Sequence, residues 1–68
     1  MNLCNNYQEW RHAITGLGGI SLTKEYCEER IKELQDDKEP ATKAFNKAYG
    51  ASYRDQVVIW FQQALAEL

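Results

Sequence analysis

The stretch Tyr53-Arg54-Asp55-Gln56-Val57-Val58-Ile59-Trp60-Phe61-Gln62-Gln63-Ala64-Leu65-Ala66-Glu67-Leu68 decides the fold class of this 68-residue chain. Val57, Phe61, Ala64, Leu65 and Leu68 recur at helical spacing and draw one stripe. Tyr53, Val58, Ile59 and Trp60 then widen the apolar arc around most of the turn. A helix that is apolar nearly all round is buried on most sides. Two expectations follow for it: the segment is the central core helix, or part of it is a surface that a partner covers. Ser52 followed by Asp55 has the form of a capping box and places the helix start near residue 53.

Working back towards the N-terminus, Pro40 opens a helix over residues 40–49, because proline at the first helical position gives up only an N–H that has no partner there. Ala41, Ala44, Phe45, Ala48 and Tyr49 fit the core-facing template, with Thr42, Lys43, Asn46 and Lys47 on the other face and Gly50 as the C-cap. Asp36-Asp37-Lys38-Glu39 reads as the turn before it. Ser21 or Thr23 caps a helix over residues 23–36, whose core stripe runs through Leu22, Tyr26 or Cys27, Arg30 or Ile31, and Leu34. Leu3, Tyr7, Trp10 and Ile14 mark a helix over residues 3–15, ended by Gly16, Gly18 and Gly19, with Leu17 and Ile20 tucking into the core. No strand-like alternation and no internal repeat interrupts this pattern. The sequence therefore predicts an all-α fold: a single small domain over residues 1–68, a compact bundle of four short helices with short connections.

Composition bounds what such a domain does. With 44% apolar and 26% charged residues and a net charge of −2, the chain is too apolar and too weakly charged for a disordered acidic tail. A domain this short buries only roughly 60% of its unfolded surface. Its core supplies on the order of 3–5 kcal/mol, which leaves room for tight packing or a partner to contribute. Charge is unevenly placed. Residues 21–39 hold Glu25, Glu28, Glu29, Glu33, Asp36, Asp37 and Glu39 against Lys24, Arg30, Lys32 and Lys38, whereas residues 40–54 hold Lys43, Lys47 and Arg54 with no acid. Either the two segments attract each other within the domain, or the second forms a small basic patch for a partner.

Catalytic chemistry has few residues to draw on. His12 is the sole histidine and lies off the first helical stripe, and the acids concentrate on the outer face of one helix. Cys4 and Cys27 form no C-x-x-C pair, so metal ligation has no support, and Cys27 reads as a small buried hydrophobe. Gly-Leu-Gly-Gly at 16–19 follows a helix rather than a strand and leads into no Gly-Lys-Ser/Thr, so it does not read as a phosphate loop. The expectation is a non-enzyme with no cofactor, no metal and no small-molecule substrate. With no signal peptide and no apolar run beyond Val57–Phe61, the sequence reads as cytoplasmic, with reduced thiols and no membrane association.

The run Gln56-Val57-Val58-Ile59-Trp60-Phe61-Gln62 resembles part of the recognition helix of homeodomains, in which a Trp-Phe pair anchors the helix. That likeness implies DNA reading from this helix. The sequence departs from the family pattern where a base-reading asparagine belongs, which is Gln63, and where basic residues should follow, which are Ala64, Leu65, Ala66 and Glu67. A helix without Lys or Arg lacks the phosphate contacts that dominate affinity, so nucleic acid is an unfavoured partner. A looser helix-turn-helix over residues 40–63, with Lys43, Lys47 and Arg54 as phosphate contacts, is the alternative. The leading expectation is a protein-binding module, a regulator, adaptor or inhibitor that binds another protein or a second copy of itself as a homodimer. Tyr53, Val58 and Trp60 on the last helix and Trp10 on the first are its partner-binding residues, because Tyr and Trp bring large contact area at low entropic cost.

Overall fold

The computed structural model describes residues 4–68, and among them the fold is all-α, with no strand. Helix α1 (Tyr7–His12) runs directly into a π-helical segment (Ala13–Leu17). Then come α2 (Lys24–Leu34), α3 (Pro40–Tyr49) and α4 (Ala51–Glu67). None of these helices is long and apolar enough to cross a membrane.

Local chemistry sets the boundaries. Asn6 caps α1: its Oδ1 accepts from the Glu9 N–H at 2.8 Å, while its own amide donates to the Glu9 carboxylate at 3.2 Å. This reciprocal cap starts the helix at Tyr7, later than the apolar stripe alone indicates; position 3 of that stripe lies outside the described residues. After His12 the turn widens, and the Gly18 N–H donates to the Ala13 carbonyl at 2.8 Å. A Cβ at Gly18 would stand 2.8 Å from the Ile14 carbonyl oxygen, so only glycine closes this turn. The widened turn carries Leu17 outward to 82% exposure and leaves Ile20 exposed as well, against the expectation that both tuck into the core.

Thr23 caps α2 by accepting from the Tyr26 N–H at 3.1 Å. Pro40 takes the first position of α3 behind Glu39, as its fixed φ favours. The face α3 buries is not the alanine face. Thr42 is fully buried, with Phe45, Asn46 and Tyr49 half-buried behind it, while Ala41, Ala44 and Ala48 face solvent. Two large rings offer far more burial than three methyl groups, and the Thr42 hydroxyl has a task inside: it donates to the Glu33 carbonyl at the C-terminal end of α2.

Gly50 alone joins α3 to α4. Its N–H closes α3 onto the Asn46 carbonyl at 2.8 Å, and its backbone angles (φ 94°, ψ 153°) belong to a region open to glycine only. α4 therefore begins at Ala51, and Ser52 lies inside the helix, exposed, rather than capping it. α4 packs most extensively against α2 and also against α3. It buries Val57, Val58, Trp60, Phe61 and Ala64, which makes it the central core helix. Trp10 from α1 meets it edge-on at Phe61 (4.7 Å between ring centres) and stacked at Trp60 (6.0 Å).

Polar clamps tie the ends together. Arg54 at the start of α4 donates through Nη1 to the Leu34 carbonyl at 3.0 Å and to Asp37 at 2.9 Å, and through Nε to Asp55 at 3.0 Å. Thr42 and Arg54 thus satisfy two of the carbonyls that the end of α2 leaves without helical partners. At the opposite end Tyr7 donates to Glu67 at 3.0 Å and accepts from Arg11 at 3.0 Å, holding α1 against the last turn of α4.

Candidate functional site

Packing α1, the π-helical segment, α2 and α3 against α4 leaves a concavity of about 390 Å³ among the described residues. Buried Trp10, Val57 and Phe61 form its floor. Its walls are half-buried: Ile14 from the π-helical segment, Tyr26 and Arg30 from α2, Phe45 and Tyr49 from α3, and Tyr53 from α4, with Cys4 and Ala13 completing the lining. The aromatic wall is a packed series. Phe45 and Tyr53 stack within 7° of parallel at 6.0 Å, Phe45 meets Tyr49 at 4.9 Å, and Tyr26 meets Phe61 at 5.9 Å. The Tyr53 hydroxyl accepts from the Cys4 N–H at 3.2 Å, which ties the chain before α1 to this wall. Burial pushes the Tyr53 phenol above its ordinary value and outweighs the lowering effect of that hydrogen bond.

Arg30 is the only charged side chain lining the groove among the described residues. It is 29% exposed, and its Nη1 donates to Glu33 at 2.6 Å, an i,i+3 pair along α2. Everything else in the lining is ring, aliphatic group, phenol or thiol. Such a surface suits an apolar occupant.

The residues singled out from sequence fall into different environments. Trp10 is in the groove floor and Tyr53 in its wall. Trp60 and Val58 are core instead, at 5% and 7% exposure, and present nothing to a partner on the outer surface of α4. The wide apolar arc of that helix is spent inside because α2 and α3 pack along it and Trp10 of α1 meets Trp60 and Phe61. Its outward face carries Ser52, Asp55, Gln56, Gln62, Gln63 and Ala66, with Ile59 the one large apolar side chain among them.

The basic patch does not assemble either. Lys43 and Lys47 project from the outer face of α3, but Arg54 turns inward onto Leu34 and Asp37. Attraction between the acidic and basic segments is realised in that contact. The hydrogen bond to Asp37 is the leading cause that holds the Arg54 guanidinium further above its already high value.

Tyr26, Phe45 and Tyr49, which helical spacing assigns to the core, stand half-buried in the groove walls. The signal was present in the spacing of Phe45, Tyr49 and Tyr53, one turn apart on either side of Gly50, which aligns three rings across two helices. Cys4 and Cys27 are free thiols; Cys27 is fully buried, and desolvation pushes its thiol up, away from the reactive thiolate. Among the described residues no three His, Cys, Asp or Glu side chains converge to hold a metal ion. Comparison with known proteins finds no matching family model, no similar curated protein and no similar solved structure.

Proposed function

We propose that this chain is a non-enzymatic protein-binding module that seats an apolar side chain of its partner in the groove between α1, α2, α3 and α4. The observation that carries the reading is an opening of about 390 Å³ walled by half-buried rings of Tyr26, Phe45, Tyr49 and Tyr53. Rings of this size left partly exposed forfeit hydrophobic stabilisation that a small domain can ill spare, and a partner's side chain restores it. The outer face of α4 offers Ile59 alone, too little apolar area for a homodimer across that helix, and Arg54 is withdrawn from any phosphate-binding row with Lys43 and Lys47. A module of this kind acts as a regulator, adaptor or inhibitor by occupying its partner.

Affinity capture from the native source with the wild-type chain and with Ala13→Arg tests the reading. Ala13 stands half-buried in the groove lining, where a long side chain fills the opening. Capture should be lost in Ala13→Arg, with helical circular dichroism retained, and kept in a Lys43→Glu/Lys47→Glu control on the outer face of α3. Undiminished capture by a folded Ala13→Arg chain overturns it.

A further inference from the structure

Building on the groove as the binding site, we infer that its occupant is a segment of a partner protein carrying a carboxylate beside its apolar anchor, and that Arg30 receives that carboxylate. Arg30 stands at the rim, where it is neither fully hydrated nor buried. One of its five N–H groups is spent on Glu33, and this bond within α2 holds the guanidinium in place while leaving most of its donor fork available. A neutral occupant closing over the groove would strip water from those donors and return nothing. A cationic occupant would meet like charge. A carboxylate satisfies the fork with paired, charge-assisted hydrogen bonds, the geometry in which arginine excels.

The size of the groove argues for a protein segment rather than a free ligand. Its volume of about 390 Å³ lies at the small end of ligand sites, roughly 300–1,000 Å³, which cover most of a ligand's surface. Here the walls are half-buried and do not close over an occupant. Such a shape takes one or two anchoring side chains of a longer chain and leaves the rest outside. Glu33 opposes a second carboxylate, so the preference for an acid is modest: about threefold, as for other partly exposed charge pairs.

Backbone amide shifts in the wild-type chain, titrated with two blocked peptides of identical sequence, read the inference directly. Both carry Phe and Leu anchors, and one has Glu where the other has Gln. The acidic peptide should bind about threefold more tightly, with shifts at Ala13, Ile14 and Tyr49, and the preference should vanish in Arg30→Gln and widen in Glu33→Gln. Equal binding of the two peptides at those same amides overturns the role of Arg30 and leaves the groove reading standing. No shift at the groove with either peptide or with phenylbutyrate overturns both. Groove shifts with phenylbutyrate while both peptides stay silent overturn the protein segment as occupant. Since the two peptides are compared on the wild-type chain, the test survives any loss of folding in the variants.

Discussion

Thr42→Val should destabilise the domain by about 1 kcal/mol, although it replaces a hydroxyl with a methyl at a fully buried position. On hydrophobic grounds alone the substitution gains, since a buried methylene is worth roughly 0.8 kcal/mol. Here the added methyl points at the Glu33 carbonyl oxygen, to which Thr42 Oγ1 now donates, so it gains little contact of its own and keeps water from that oxygen. The carbonyl is not orphaned, because the Asp36 N–H also reaches it at 3.1 Å. That places the loss near the middle of the roughly 0.5–1.5 kcal/mol range for an ordinary hydrogen bond, rather than at the full penalty for an unsatisfied group. Against a core that supplies on the order of 3–5 kcal/mol, the loss is about a quarter of the total. The urea midpoint followed by far-UV circular dichroism should fall in proportion with an unchanged slope, and Tm by about 4–8 °C. Both residues are β-branched, so helix propensity does not separate them. If Thr42→Val proves as stable as wild type or more so, the hydroxyl does not fasten α2 to α3, and the burial of Thr42 needs another cause.

Trp60→Ala should cost about 3–5 kcal/mol, enough to unfold the domain, whereas Ile59→Ser next to it should stay within about 0.5 kcal/mol; thermal melts of the pair separate core from surface on α4. Gly50→Ala should cost about 1–3 kcal/mol, because the joint between α3 and α4 holds angles closed to alanine, and an unchanged midpoint would show that the joint relaxes. Stability should also fail in alkali. Burial raises the Tyr7 and Tyr53 phenols above 10.0, so the folded state prefers them protonated. Their contribution is fully present below the ordinary phenol value and is lost as pH rises through the raised folded values. Urea midpoints should hold to about pH 9 and fall above about pH 10, less steeply in Tyr53→Phe.

Much of this fold was legible because the helix-forming signals are local. Pro40 behind its turn, Thr23 as a cap and the broad apolar arc of residues 57–64 place α2, α3 and α4 within two or three residues of their observed bounds. What the sequence concealed depends on contacts between segments. The buried face of α3 turned on whether Ala44 or Thr42 points inward, and that is decided by a carbonyl nine residues earlier, in Glu33, which no periodicity reveals. Arg54 reads from sequence either as a partner for the acidic segment or as one of three cations in a basic patch, and the fold decides by setting it beside Leu34 and Asp37, 20 and 17 residues away. The π-helical turn escaped for the opposite reason. Three glycines mark an end, but the route that ends there is fixed by the close approach of Gly18 to the Ile14 carbonyl.

The surplus of aromatic residues has its explanation in the same distinction. Counted along α4, it reads either as a central core helix or as an apolar face awaiting a partner. In the fold the convex side of α4 is polar apart from Ile59, and the rings lie within. Rings are rigid plates that fit together in few ways, and four short helices bring six of them, from every helix, to one place: Trp10, Tyr26, Phe45, Tyr49, Tyr53 and Phe61. Small aliphatic side chains would fill that space to the density of a normal core. These rings meet one another stacked, tilted and edge-on instead and leave a concavity in their midst. A domain this small gains stability from every buried methylene, and here large side chains stop short of closing the core. The excess apolar surface is therefore a property of the groove, and truncating a wall ring such as Tyr49 should weaken partner capture more than truncating Ile59, the exposed residue that the helical pattern places on the most apolar helix.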